Sequence, residues 1–300
     1  MLNIIQKLYI EGCDIKKNEP LKNHTHFRIG GITPYMIFPR TTDSLLNCIH
    51  ILKKEKINWK ILGGGANLIV KEGLLNYLVI STKYLTNFEI FNKTFLKCEV
   101  GTPITRVSYF CAENNLSGLE FASGIPGSIG GAVFMNAGAY IGEIKDIVET
   151  VEVYNYDNDT ILTLNKEELE FSYRKSIIQK KPYIILSIIL KLQHKEKEEI
   201  FKIINELSSK RWNSQPLDMP SAGSIFKRPR PDFYVGTTIE KLGLKGLSVG
   251  DAQISEKHAG FIINKGNATF KEVMTLIETV KNLVKEKYGE TLEIEPEIWN

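Results

Sequence analysis

The chain has 300 residues, 43% of them hydrophobic, which suffices for a substantial core and suggests two or three domains. Its formal net charge is only +3, with acids and bases mixed along the chain, which argues against nucleic-acid binding and leaves room for a local anion site at most. Four scattered cysteines, Cys13, Cys48, Cys98 and Cys111, form no CxxC, so neither a disulfide framework nor a structural zinc site is expected, and a reducing cytoplasm fits best.

Met1 to Pro20 alternates apolar and charged residues without an apolar run or a small-residue cleavage site, so no signal peptide is expected. Leu2, Ile5, Leu8 and Tyr9 predict a short amphipathic helix. Asp43 or Ser44 caps a second helix running to about Lys56, with Leu45, Ile49 and Leu52 on one face. Trp59 to Leu62 reads as a strand, Gly63-Gly64-Gly65-Ala66-Asn67 as a tight loop, and Leu68 to Val70 as another strand. A Rossmann phosphate loop joins a strand to a helix with glycines spaced GxGxxG, so this loop is not one. Phe95 to Val100 is a strand, followed by a helix from Pro103 to about Asn114. A glycine-rich stretch covers Gly124 to Gly142, and strands at Val148–Tyr156 and Thr160–Leu164 flank the turn-prone Asp157-Asn158-Asp159. Tyr183 to Leu190 is the longest strongly apolar run; it is far below the ~20 residues a membrane helix needs, and its isoleucines read as a buried strand. Ile200, Ile203, Ile204 and Leu207 mark a helix from about Glu196 to Lys210, and Pro216 and Pro220 a linker. Thr269 with Glu272 forms a capping box for a last helix that turns Val273, Leu276, Ile277, Val280 and Val284 inward and stops at Gly289. Leu292, Ile294 and Ile298 alternate as a terminal strand. Strands and helices mixed in this way indicate an α+β protein.

The strongest chemical signal is the run from Gly124 through Pro126, Gly127, Ser128, Ile129 and Gly130 to Asn136, Ala137 and Gly138. Closely spaced glycines let a backbone approach a ligand, and a helix starting near Ser128 aims its first N–H groups at an anion such as a pyrophosphate. The competing reading is a tight turn in a core, with Gly130-Gly131 allowing close helix packing. A second cluster, Gly63 to Asn67, tilts the balance, because two glycine loops after separate strands can grip one dinucleotide from two sides.

These two clusters together resemble the FAD-binding fold of vanillyl-alcohol-oxidase (PCMH-type) flavoproteins, and within it the UDP-N-acetylenolpyruvoylglucosamine reductase family. Further segments share the resemblance: Asn23-His24-Thr25-His26-Phe27-Arg28-Ile29-Gly30-Gly31, Phe171-Ser172-Tyr173-Arg174-Lys175-Ser176, Ala222-Gly223-Ser224-Ile225-Phe226-Lys227, Ile239 to Gly246, and Glu295-Pro296-Glu297-Ile298. It spans about Asn23 to Ile298. It implies an α+β fold with an FAD-binding subdomain at 1–80 joined by the tail 291–300, a second at 81–210, and a smaller α+β domain for the UDP-sugar at 211–290. The chain is similar to the family's short second type, so no inserted substrate-capping tyrosine is expected.

The resemblance implies FAD held by Gly63, Gly64, Gly65, Ala66 and Asn67 and by Gly124, Pro126, Gly127, Ser128, Ile129, Gly130, Asn136, Ala137 and Gly138. No histidine lies in either loop, which argues for non-covalent flavin, and His24, His26, His50, His194 and His258 are not spaced as a metal site. NADPH is the implied reductant and UDP-N-acetylglucosamine enolpyruvate the implied substrate. Hydride addition to that enol ether builds negative charge that spreads into its carboxylate. Arg174 matches the family's catalytic arginine, whose planar guanidinium suits that carboxylate; a surface ion pair is the bland alternative. Ser224 matches the proton donor; a turn residue after Gly223 is its bland alternative. Glu297 matches the family's carboxylate. Glu295 is its rival, since residues two apart on a strand share a face; Glu297 is preferred because it directly precedes an apolar residue, as family tails do. Tyr173, Arg211, Gln215 and Lys227, with Arg228 nearby, are expected around the UDP-sugar, against the alternative of a solvated basic rim. The expected state is a cytoplasmic monomer with neither nucleic-acid nor membrane partner. Another flavin oxidase on the same fold, or a nucleotide-binding protein without catalysis, remain the alternatives.

Overall fold

The computed structural model describes residues 2–300, and of Leu2 the main chain only. The chain divides into two compact units. One comprises residues 1–17, 35–64 and 77–210; the other comprises 18–34, 65–76 and 211–300.

In the first unit the strands Trp59–Leu62 and Leu78–Ser81 run parallel, and Met36-Ile37 of the strand Ile32–Pro39 pairs parallel with Val79-Ile80. The helix Thr42–Lys54 buries Leu45, Cys48, Ile49 and Leu52, at the spacing of one apolar face. Its cap is Thr41, whose hydroxyl accepts the Ser44 N–H at 3.1 Å while Ser44 reaches back to the Thr41 N–H. Asp43 and Ser44, the caps expected from sequence, therefore lie inside the first turn. The helix Leu2–Ile10 buries Ile4 and Leu8, one turn apart, while Tyr9 is 54% exposed. Of the expected face, Leu8 is buried and Ile5 packs against the same core, Ile4 joins them in place of Tyr9, and the Leu2 side chain lies outside the described residues.

A five-stranded antiparallel sheet completes the unit, in the order Thr160–Asn165, Val148–Asn155, Tyr183–Lys191, Phe95–Glu99, Phe88–Phe91. Tyr183–Lys191 is its central strand, buried almost throughout, as its isoleucine run demands. The helices Ile104–Glu113 and Ile129–Phe134 contribute Ile104, Val107, Cys111, Ile129 and Val133 to the same core. Burial raises the Cys98 thiol pKa far up and that of Cys111 to about 12, so both remain inert thiols.

The second unit is built on an antiparallel sheet ordered Ser221–Ser224, Phe261–Asn264, Ala252–Ile254, Ser248–Val249. The helix Phe270–Tyr288 covers it with Val273, Leu276, Ile277, Val280 and Val284, all buried. Each such side chain contributes about 1.5–3 kcal/mol over an exposed one. The Thr269–Glu272 capping box opens this helix, and Gly289 closes it at φ 72°. The terminal strand is shorter than expected. Only Glu297–Trp299 is a strand, paired in parallel with Leu68–Val70, whereas Leu292 is buried without strand pairing. The helix expected to end at Lys210 continues to Ser214, because no breaker precedes Pro216.

Candidate active site

The two glycine loops interlock in the first unit. A Cβ on Gly64 would lie 2.4 Å from the Cα of Gly127, and one on Gly63 would lie 2.7 Å from the Ser128 hydroxyl. Gly127 itself has φ 113°. Two main chains this close exclude any larger residue, so glycine here is a packing demand between loops 60 residues apart in sequence.

Which amides remain for a ligand follows from the hydrogen bonds. Ile129 gives its N–H to Thr102 O at 2.8 Å and Gly130 to Val100 O at 3.0 Å. The Gly131 N–H goes to the Ser128 hydroxyl at 3.2 Å. Asn136 and Ala137 donate to Val133 and Ala132 carbonyls. The helix Ile129–Phe134, only six residues long, therefore presents no unspent first-turn amide, contrary to the sequence expectation. The end of the neighbouring strand takes those donors instead. A Cβ on Gly130 would strike Val100 Cγ2 at 2.3 Å, so this glycine serves helix-on-strand packing, the alternative the sequence left open. Among the described residues, the N–H groups of Gly63, Gly64, Gly124, Gly127 and Ser128 have no acceptor within the chain. In the second unit the same holds for Gly65, Ala66 and Asn67.

Asn136 is fully buried, and its side chain is spent inside the protein: its amide nitrogen donates to Glu143 Oε2 at 2.7 Å and to Ser172 O at 3.0 Å, and its oxygen accepts the Lys145 N–H at 2.9 Å. That burial leaves the side chain bracing the chain itself. Arg174 sits on a two-residue turn closed by mutual Ser172 and Lys175 backbone bonds of 3.1 Å. Its φ is 58°, a left-handed conformation that costs a residue with a Cβ roughly 1–2 kcal/mol. One guanidinium N–H donates to Gly138 O at 3.2 Å, and the group lies 5.0 Å from the centre of the Tyr173 ring. The turn thus joins Tyr173, Arg174 and Gly138, three of the expected site residues.

Family models match two stretches of the chain, an FAD binding domain at residues 33–165 and the C-terminal domain of UDP-N-acetylenolpyruvoylglucosamine reductase at residues 215–299. The reductase of that name from Petrotoga mobilis is 54% identical over 296 residues, covering 97% of either chain. The chain belongs to the UDP-N-acetylenolpyruvoylglucosamine reductase family. The Thermotoga sp. strain RQ2 reductase is 48% identical, covering 100% of this chain and 98% of its own. The crystal structure of the reductase from Thermus caldophilus superposes with TM-score 0.81 at 34% identity, covering 96% of this chain and 99% of that one. A berberine bridge enzyme variant, 14% identical with TM-score 0.50 over 65% of this chain, shares the fold alone. The reductase fold is thus the PCMH-type FAD-binding fold with an added α+β domain.

The second unit of this reductase carries Ser224 and the tail glutamates. Gly223, at φ 79°, sits in an irregularity of the strand Ser221–Ser224 against Phe261–Asn264, the kind of bulge that re-aims the next side chain. Ser224 is half-buried at the end of that strand and pairs with Phe261, so it is a strand residue rather than a turn residue. The following residues meet the tail: Ile225 O accepts the Glu295 N–H at 2.8 Å and Glu293 O the Lys227 N–H at 2.9 Å. Asn67 grips the same tail on both sides of Pro296, its amide donating to Glu295 O at 3.2 Å and its carbonyl accepting the Glu297 N–H at 3.0 Å. This clasp accounts for the Asn67 side chain, which the sequence assigned to the cofactor. Glu297 is exposed and Glu295 half-buried. Lys227 Nζ stands 3.6 Å from Glu293, a pair weak enough to yield to a stronger anion. Gln215 follows Arg211 by one helical turn, and its side-chain oxygen is buried with no hydrogen-bond partner among the described residues. A diphosphate has no donor for that oxygen; a sugar hydroxyl or acetamido N–H has.

A Gly64→Ala substitution is expected to strip the reductase of flavin, because the new methyl group cannot coexist with Gly127. The flavin-to-protein absorbance ratio after desalting measures this. A full flavin complement in the folded variant would take the interlocked loops out of the cofactor site.

Proposed function

We propose that this chain reduces the enolpyruvyl group of UDP-N-acetylglucosamine enolpyruvate to give UDP-N-acetylmuramate, in peptidoglycan precursor synthesis, through the residues named below. It is an FAD-dependent oxidoreductase that draws on NADPH. The observation that carries the reading is the interlock of the two glycine loops, with the unspent amides of Gly63, Gly64, Gly124, Gly127 and Ser128 around it. Such amides suit a pyrophosphate, whose oxygens need donors and not bulk. FAD held there would supply hydride-transfer chemistry between NADPH and the enolpyruvyl group.

The chain's own residues do the rest. Arg174 faces the substrate carboxylate and holds the charge that develops there as the enolate forms. Ser224 gives its hydroxyl proton to the adjacent carbon, completing the addition of hydride and proton across the double bond. Glu297 polarises the intermediate from the tail. Lys227 and Arg211 take the diphosphate, Tyr173 flanks Arg174, and Gln215 accepts a donor from the sugar. Residues 211–290 serve the UDP-sugar, and residues 1–210 with the tail 291–300 serve FAD. A cytoplasmic monomer without nucleic-acid or membrane partner belongs to the same reading. Among the described residues no helix is long and apolar enough to cross a bilayer.

The test is anaerobic reduction of the purified flavoprotein by NADPH, then addition of the enolpyruvyl nucleotide. Rapid reoxidation by the nucleotide is expected. Reoxidation by oxygen alone would instead indicate an oxidase on the same fold. In that assay Glu297→Gln is expected to slow reoxidation more than Glu295→Gln does. The opposite order would transfer the role to Glu295.

A further inference from the structure

We propose that Asn136 is a positioning residue for Arg174, a buried brace that holds the strained arginine turn at the end of the flavin-loop helix. The inference rests on the reading of Arg174 given above. The turn has no glycine to relieve φ 58°, so something outside it must hold the conformation. Hydrogen bonds tie the segment 172–179 to the segment 134–138. Asn136 Nδ2 donates to Ser172 O at 3.0 Å. Ser176 Oγ donates to Phe134 O at 2.7 Å, and Gln179 Nε2 donates to the same carbonyl at 2.8 Å and to Arg174 O at 3.2 Å. Arg174 itself reaches Gly138 O.

The orientation of Asn136 is fixed from behind. Glu143 accepts its second amide hydrogen, Lys145 N–H fills its oxygen, and Lys145 Nζ in turn pairs with Glu143. Its own φ of 42° suits asparagine, which tolerates the left-handed region. A buried amide with every bond directed in this way transmits position rather than charge.

Asn136→Asp alone would set a carboxylate against Glu143 and the Ser172 carbonyl, and the variant risks unfolding. The Asn136→Asp/Glu143→Gln double variant removes the repulsion with residue 143. Amide and carboxylate trade places, their mutual bond survives and Lys145 N–H keeps an acceptor, while Ser172 O loses its donor and Lys145 Nζ its ion pair with residue 143. The double variant is expected to keep its flavin and its reduction by NADPH. Its reoxidation by the enolpyruvyl nucleotide should slow about 10–100-fold, as misplacement of a substrate-facing group does. In an Arg174→Lys background the same pair of changes should cost little more, because residues acting through one another are not additive. Gln179→Ala, at an exposed position, should slow the same step several-fold, and it keeps the test open if the double variant does not fold.

Full-rate reoxidation in both brace variants beside a slow Arg174→Lys would overturn the inference alone. So would losses that multiply in the combined variant. A full-rate Arg174→Lys would end the reading of the arginine and the inference with it.

Discussion

Ser224→Ala is expected to accept hydride from NADPH at close to the wild-type rate and to lose about 10²–10⁴-fold in reoxidation by the enolpyruvyl nucleotide, the usual contribution of general acid catalysis. The split follows from the order of events. Reduction of the flavin needs no proton on the substrate carbon, whereas the second half-reaction cannot finish without one. Gly223 and its bulge deliver Ser224 at a strand end where the side chain is half-exposed, so the change leaves no buried partner unpaired. Folding should move by no more than about 0.5 kcal/mol. Stopped-flow absorbance follows each half-reaction separately. Equal slowing of both would make Ser224 a shaper of the pocket, and slowing of neither would move the proton source to Glu297 or a water it holds.

Arg174→Lys is expected to cost about 10²–10³-fold in the same second half-reaction although the charge is kept, the scale seen when one donor to a developing oxyanion is removed. The guanidinium is a planar fork already held by Gly138 O on one side and the Tyr173 ring beneath. An ammonium is a point charge that cannot keep those contacts and meet a carboxylate in two parallel hydrogen bonds. Both side chains carry a Cβ, so the left-handed turn is no more strained in the variant. Flavin content and NADPH reduction should therefore be unchanged. Near-normal turnover would make Arg174 peripheral.

The glycine loops, the capping box at Thr269 and the buried strand Tyr183–Lys191 were legible in the sequence because each is a local requirement. The roles of individual motif residues were not. Ile129 and Gly130 look like donors to an anion until the strand end at Val100 and Thr102 takes their N–H groups, and that contact is tertiary. Asn136 reads as a ligand contact in the motif, yet Ser172, which completes its bonding, lies 36 residues on. Asn67 likewise reads as part of the first glycine loop, although its side chain serves a tail segment 228 residues away. The strain at Arg174 leaves no trace in Ser172-Tyr173-Arg174-Lys175, which holds neither glycine nor asparagine.

The Asn67 clasp and the parallel pairing of Leu68–Val70 with Glu297–Trp299 also set a timetable for biosynthesis. Leu68, Ile69 and Val70 leave the ribosome 229 residues ahead of the strand that covers their hydrogen-bonding edge, Leu68 being paired with Glu297. Over that interval this apolar edge has no native partner, and unpaired edges of this kind recruit other chains. Glu295 and Glu297 belong to the segment that seals the edge, so their placement and the pairing of Leu68–Val70 come in one step.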